Sequence, residues 1–472
     1  MCALCSIKRL KAQVALAGPD LLYSTDGDNV IVDTTSLFTL REINITGNRQ
    51  TNFKIILREL PFQINERYPL NVLADKFSEA KRRLMNTGLF HHVVVSLNSI
   101  QGYEASVNVE VRERWYIIPM PYVKAVDRSI GEWAQEQNMD MKRVNYGIKI
   151  KHNNISGRND KLFVNLKNGY TKEVALAYYG LMLDKNFKWS TSLGVSLGKN
   201  KEVNYNTVGN KLLAYKSDGN SFVHSYTRAF VEFSYRQAIN TTHTFGISYN
   251  SEDVADTILA INSHYFDNTS RLRYPSLYYT LSYSNTDFLP YPLKGYVAEV
   301  SIAKRGLNTD LNLWHLSAKG SGSWPLSSKY FMNLRMAGVL KLPFRQPYIN
   351  QQFVGYKDLY MQGYEYYVID GVAGGYSKLS FSRELFNTSI HIPSETIKRI
   401  NNIPFRAYAK VYGNAGYIYN PQAGKNPLSN KVIFSGGFGL DIVTFYDFII
   451  KLECSFNQLG QNGLYLHRRD YF

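Results

Sequence analysis

From about residue 115 onward, apolar and polar side chains alternate in runs of roughly ten residues. In WSTSLGVSLG, Trp189, Thr191, Leu193, Val195 and Leu197 share one face, and Ser190, Ser192, Gly194, Ser196 and Gly198 share the other. In KLFVNLK, Leu162, Val164 and Leu166 oppose Lys161, Asn165 and Lys167. In YSKLSFSREL, Leu379 and Phe381 oppose Lys378, Ser380, Ser382 and Glu384. In FIIKLECSFN, Phe448, Ile450, Leu452, Cys454 and Phe456 oppose Lys451, Glu453, Ser455 and Asn457. One greasy and one polar face over that length is what a membrane-crossing β-strand needs: hydrocarbon outside, water or polar loops inside. About sixteen such segments follow one another, the first near Trp115 and the last near Gly463, and an even count suits a closed antiparallel barrel. A water-soluble stack of sheets would need a second apolar layer over the outward face, and no helical pattern supplies one.

Residues 36–114 read differently. FTLREINITGN is a strand with Ile43 and Ile45 on one face, turned by Gly47 and Asn48. Thr51 is placed to cap a first helix, with Phe53, Ile56, Leu57 and Leu60 at helical spacing. Asn71 is placed to cap a second, whose stripe is Leu73, Phe77, Ala80 and Leu84 and whose end is Gly88. Two strands follow, one with Val93, Val95 and Leu97 on a face, the next with Val107, Val109 and Val111 opposite Asn108, Glu110 and Arg112. The order strand–helix–helix–strand–strand predicts a small α+β layer in which two helices cover one face of a sheet. The chain therefore divides into an N-terminal segment, 1–35, a small α+β domain, 36–114, and a mainly β barrel, 115–472.

Composition adds limits. Of the 472 residues, 36 are Tyr, which suits both pleated surfaces and the two boundaries between lipid and water. No apolar run is long enough for a membrane helix. The formal net charge of +16 comes from Lys and Arg spread along the chain without a basic tail, which favours contact with phosphorylated lipid or a basic lumen over nucleic acid. Three cysteines, Cys2, Cys5 and Cys454, make no disulfide framework, and no cofactor or metal motif is present. Residues 1–35 carry Lys8, Arg9 and Lys11 before the short apolar stretch AQVALAG, without the organisation of a clear signal peptide.

Several motifs, in order, carry a family resemblance. INITGN with Thr51, RRLMNTGLF and VNVEVRE resemble a POTRA domain. NNISGRND resembles an early barrel hairpin of the BamA/TamA outer-membrane assembly superfamily (the bacterial surface antigen barrels) through Asn154, Gly157 and Arg158. The long connection from about Leu342 to Asp370 holds YMQGYEYY, which resembles that family's conserved hydrophobic–Arg–Gly–aromatic loop at Met361, Gly363 and Tyr364, with Gln362 in place of the arginine. In the family the arginine reaches into the lumen and pairs with an acid in an aromatic–x–Asp–x–Gly pattern. The matching stretch here is YGNAGY, with Asn414 at the acidic position, followed by Gly416. Both expected partners are amides, so the resemblance implies a loop-lumen lock made by a Gln362–Asn414 hydrogen bond.

The two strands that would close the barrel both look weak. The first contains Pro119 and Pro121, which lack a ladder donor, and the last has Leu464, Leu466 and a terminal Phe472 interrupted by His467, Arg468 and Arg469. GVSLG at 194–198 has the letters of a nucleophile elbow, but Ser196 lies in regular strand alternation rather than at a strand-to-helix turn. The resemblance implies a barrel in the cell outer membrane of a Gram-negative bacterium, not an enzyme, with its POTRA domain in the periplasm. Clients would add to the POTRA edge at Val93, Val95 and Leu97 by β-augmentation and leave through a lateral seam. Expected partners are outer-membrane lipids, client polypeptides and periplasmic or lipoprotein subunits of an assembly complex. The alternatives are a lipid-acting barrel enzyme, a passive pore and a non-inserting structural subunit.

Overall fold

The computed structural model describes residues 36–125, 138–139, 141–217, 221–307, 311–356, 359–391, 402–444 and 448–467. Cys2, Cys5 and Phe472 fall outside them. The chain divides into two compact units, Met1–Ile118 with Lys151–Lys161, and Pro119–Ile150 with Leu162–Phe472.

The first unit contains β1 (Leu37–Thr46), α1 (Phe53–Glu59), β2 (Arg67–Pro69), α2 (Leu70–Asn86), β3 (Phe90–Gln101) and β4 (Glu104–Glu113). Its sheet order is β2-β1-β4-β3, with β1 parallel to β4 and β3 antiparallel to it. The core is the stripe read from the sequence: Leu73, Phe77, Ala80 and Leu84 of α2 bury with Val93, Val107, Val109 and Val111. Gly88 turns the chain out of α2 at φ +72°.

Four local details differ from the sequence reading. The short β2 was not foreseen, because three residues carry no periodic signal. Asn52, not Thr51, caps α1, its side chain accepting from the Lys54 N–H. Thr51 is buried instead, with its hydroxyl 2.9 Å from the Tyr116 phenol and accepting from Asn154 Nδ2 at 3.0 Å. Helix α2 begins one residue before Asn71, behind Pro69, so Asn71 is no cap. On α1 the buried pair is Ile55 and Ile56, while Phe53 is exposed.

The second unit is a sixteen-stranded antiparallel sheet. Its strands are β5 (Ile117–Ala125), β6 (Val144–Asn153), β7 (Lys161–Gly169), β8 (Thr171–Met182), β9 (Trp189–Asn200), β12 (His224–Ala238), β13 (Thr241–Val254) and β14 (Arg271–Thr286), then β15 (Gly295–Arg305), β16 (Leu313–Pro325), β17 (Tyr330–Leu342), β20 (Ala373–His391), β21 (Asn402–Tyr419), β22 (Val432–Thr444), β23 (Phe448–Asn457) and β24 (Asn462–His467). Neighbours in sequence are neighbours in the sheet throughout, with β5 and β24 at the two ends of the order. Successive strands alternate direction and each pairs with the next, across short connections and long ones alike.

The alternation resolves as the sequence requires. Leu193, Val195 and Leu197 of β9 are 47%, 43% and 50% exposed, whereas Lys451, Glu453 and Ser455 of β23 are buried. The apolar side chains therefore point away from the protein, into what must be hydrocarbon, and the polar ones pack inside. Among the described residues no helix is long and apolar enough to cross a membrane.

Connections at the end of the barrel opposite to the start of β5 carry structure of their own. A hairpin of β10 (Glu202–Val208) and β11 (Lys211–Lys216) lies between β9 and β12, α3 (Asp256–Ile261) lies between β13 and β14, and β18 (Gln352–Val354) pairs with β19 (Ile369–Asp370) between β17 and β20. The hairpin turn is pinned by Asn210, whose backbone N–H donates to Asn426 Oδ1 at 2.8 Å and whose Nδ2 donates to the Val368 carbonyl at 3.0 Å. Asn210 Oδ1 accepts from the Leu428 N–H at 2.9 Å.

Candidate functional site

The long connection between β17 and β20 folds against the barrel's inner wall, and the four residues of the MQGY stretch each do a separate job there. Met361 is buried in an apolar cluster with Phe353, Tyr364, Ile369, Tyr376, Ile418 and Ile433. Gln362 Nε2 donates to Glu453 Oε1 at 3.0 Å. Gly363 has φ +85°, and a Cβ there would lie 2.9 Å from Ser435 Cβ, so only glycine lets the loop backbone approach β22 and β23 this closely. Its carbonyl accepts from Asn457 Nδ2 at 2.7 Å. The Tyr364 hydroxyl donates to the Phe434 carbonyl at 2.9 Å.

Glu453 is the centre of this anchor. It is 0% exposed and, besides Gln362, meets Lys410 Nζ at 2.5 Å and His467 Nδ1 at 2.6 Å. Lys410 Nζ also pairs with Asp441 Oδ1 at 2.6 Å, and Asp441 Oδ2 accepts from the Tyr291 hydroxyl at 2.9 Å. A buried carboxylate is tolerated only when charge and hydrogen-bond capacity are matched, and here four strands, β21 to β24, supply the matching groups. His467 stacks near Tyr360 of the loop, ring centroids 5.1 Å apart, so the last described residue of β24 touches both the loop and the carboxylate that holds it.

The expected Gln362–Asn414 bond is not formed. Asn414 Nδ2 donates to Ser435 Oγ at 3.0 Å. Gln362 Oε1 and Asn414 Oδ1 are both buried without a partner, and the two residues line one lumenal cavity of about 40 Å³ together with Lys378, Lys410, Asp441 and Lys451. Gly416 pairs with Tyr376 and Ile433 in the strand ladders. The physical reason for the shift is charge: the buried Glu453 carboxylate on β23 is a stronger acceptor than the Asn414 amide and takes the Gln362 N–H. Sequence reading put Glu453 on the lumenal face but had no signal that it, Lys410, Asp441 and His467 would converge on the loop.

The seam residues lie on strands that end the sheet order. Pro119 and Pro121 are in β5, and Leu464 and Leu466 of β24 are 77% and 71% exposed. β24 has six residues, and among the described residues no ladder joins it to β5. In the first unit, among the described residues, β3 pairs only with β4, leaving one edge of β3 open. Val93 is buried towards the helices, while Val95 and Leu97 are half-buried, so what this edge offers a partner is backbone rather than these side chains. Ser196 sits inside β9, opposite Ala175 and Arg228, at no turn. Among the described residues no group of three or more His, Cys, Asp and Glu side chains could hold a metal ion.

Residues 38–114 match the POTRA family, described as surface antigen variable number repeat, and residues 154–444 match the Omp85 superfamily domain. The outer membrane protein assembly factor BamA of Neorickettsia risticii (strain Illinois) is 34% identical over 83 residues, 18% of this chain and 11% of that protein. The chain thus spans about 11% of the length of the curated relative it matches. CdiB from Escherichia coli superposes with a TM-score of 0.52 at 10% identity, over 92% of this chain and 74% of that one. BamA from Haemophilus ducreyi lacking POTRA domains 1–3 superposes with a TM-score of 0.46 at 16% identity, over 91% of this chain and 83% of that one. With the larger part of its length matched by one family, the chain belongs to the Omp85 superfamily, as an outer-membrane β-barrel with a periplasmic POTRA domain.

Proposed function

We propose that the chain assembles or translocates client polypeptides at the outer membrane and is not an enzyme. The observation that carries this reading is the pair of unsatisfied strand edges. Among the described residues, β3 of the first unit has a free edge, and β24 is short, lipid-exposed and unladdered to β5. An extended client can add a strand to the first edge. It can then pair at the second, which keeps its backbone groups bonded while it enters hydrocarbon. The relatives named above include an assembly factor, which supports the same reading.

Residues 36–114 form the client-receiving domain in this scheme, with β3 around Val93, Val95 and Leu97 as the docking edge. Residues 115–472 form the barrel whose seam receives the client. Met361, Gln362, Gly363 and Tyr364 lock the loop to the lumen, Gln362 through Glu453, Gly363 through Asn457 and Tyr364 through the Phe434 carbonyl, and Asn414 lines the cavity beside it. Periplasmic or lipoprotein subunits would deliver clients. Depletion of the protein followed by outer-membrane proteomics tests the reading: the levels of other barrels or of surface-exported proteins should fall. Unchanged levels would reject it in favour of a structural subunit.

A further inference from the structure

The outward face of the barrel ends differently at its two rims. β9 runs in the same direction as β5, so Trp189 lies at the end where β5 begins and Lys199 at the far, outer end. At the near end the outward positions are aromatic. Trp189 and Tyr235 have ring centroids 4.7 Å apart, Tyr235 and His243 6.4 Å, and His243 and Tyr279 6.1 Å. At the far end the same run of strands carries cations instead: Lys172 on β8, Lys199 on β9, Arg271 and Arg273 on β14, and Lys304 on β15, with Lys201 just beyond β9.

Lys172 and Lys199 are direct partners in the β8–β9 ladder, and both are exposed. Like charges placed opposite each other weaken a strand pair unless an anion lies between them. Among the described residues neither has a carboxylate partner. The row continues from Lys199 to Ser225 and on to Asp253, but Asp253 is already paired with Arg271, Nε to Oδ1 3.3 Å. Lys172 and Lys201 converge on one ring, their Nζ atoms 5.6 Å and 6.0 Å from the Phe222 centroid. Directly beneath this row the ladder turns apolar, with Val174 opposite Leu197 and Leu176 opposite Val195, all exposed. Two residues along a strand is about 7 Å. An acyl chain lying on Leu197 and Val195 therefore sets its own headgroup level with the lysines.

We propose that the outer rim of β8 and β9, centred on Lys172, Lys199 and Lys201, binds the phosphate of a lipid headgroup in the outer leaflet. Charge complementarity and continuity with the lipid-facing band select this occupant. A phosphate here relieves the Lys172–Lys199 repulsion, whereas a protein partner would have to displace the lipid beneath it.

Native mass spectrometry of the full-length protein, released from detergent with phosphatidic acid, reads the site directly. Lys172→Gln/Lys199→Gln/Lys201→Gln should weaken phosphatidic acid binding about tenfold or more, on the scale of basic residues at a membrane surface. Lys185→Gln/Lys188→Gln, at the opposite rim, should leave it unchanged. Inorganic phosphate at equal concentration should not displace the lipid. Undiminished binding by the triple variant overturns the proposal, as does equal loss from both rims, which would make net charge the cause. Displacement by inorganic phosphate would overturn the lipid assignment. If the triple variant fails to show the heat-modifiable migration of a folded barrel, Lys199→Gln alone carries the test, with about a threefold loss expected.

Discussion

Glu453 has no water to fall back on. It lies at 0% exposure among Gln362, Lys410 and His467, so its charge is balanced only by the groups that touch it. Glu453→Ala would take one buried carboxylate from Lys410 and remove the acceptor that holds Gln362. Breaking a buried ion pair from one side costs about 3–5 kcal/mol. We therefore expect a clear drop in the temperature at which the barrel loses its compact migration on gels. Gln362→Arg is the opposite case. The longer cation can reach the same carboxylate, so this variant should hold the loop at least as well as the native residue, while Gln362→Ala frees it. Limited proteolysis within 355–367 separates the three: fast cleavage in the alanine variant, slow in the other two. Equal rates would mean that Met361, Gly363 and Tyr364 hold the loop without help from residue 362. The sequence placed Glu453 inward by alternation and Gln362 at an anchoring position. It could not show that they meet, because the two are on different elements and pairing across a lumen leaves no local pattern.

At the scale of elements, the sequence was most readable where a strand has one face in lipid. β7, β9 and β23 begin at the first residue of the alternating runs KLFVNLK, WSTSLGVSLG and FIIKLECSFN, because hydrocarbon enforces period two along the whole segment. Elements shaped by long-range contacts were not readable. β2 forms because three residues lie against β1, and Thr51 leaves its expected cap because Tyr116 and Asn154 bond its hydroxyl. The β3 edge makes two measurable statements. Its outward backbone amides should exchange with solvent much faster than those of β4, which is paired on both sides, and an added extended peptide should slow them. His91 and His92 in β3 add a pH dependence. Burial is the first cause lowering the pKa of both below 6.5, and Arg112 lowers that of His92 further. A histidine kept neutral by folding binds a proton more readily in the unfolded chain. Its contribution is complete above about pH 6.5 and is lost as the pH falls from there towards the lower folded value. Protection of β3 and β4 should thus weaken between about pH 7 and 5 after correction for intrinsic exchange, and His91→Gln/His92→Gln should flatten that response. A response that persists in the double variant would place the titrating group elsewhere.

For the whole molecule, the question is what sixteen strands enclose. An empty barrel of that circumference conducts freely. This one is filled from two directions. The loop between β17 and β20 enters from the outer end and is fixed to β22 and β23 by Gln362, Gly363 and Tyr364. The connection between β14 and β15 packs Tyr291 against Tyr408, ring centroids 5.1 Å apart, and bonds Asp441 from within. Above the loop, Asn210 stitches the β10–β11 hairpin to residues 368, 426 and 428. A passive pore would have no reason to spend so many buried polar contacts on obstruction, whereas a barrel that lets polypeptide strands pass at its seam must keep its centre closed to ions. Purified protein in a planar bilayer should accordingly show little steady conductance. Removing residues 355–367 should open large, stable currents. Asn210→Ala should give an intermediate state with frequent brief openings, since it releases the hairpin but leaves the inner anchor in place. Large steady currents from the native protein would instead favour the pore and leave the lumenal anchor without a purpose.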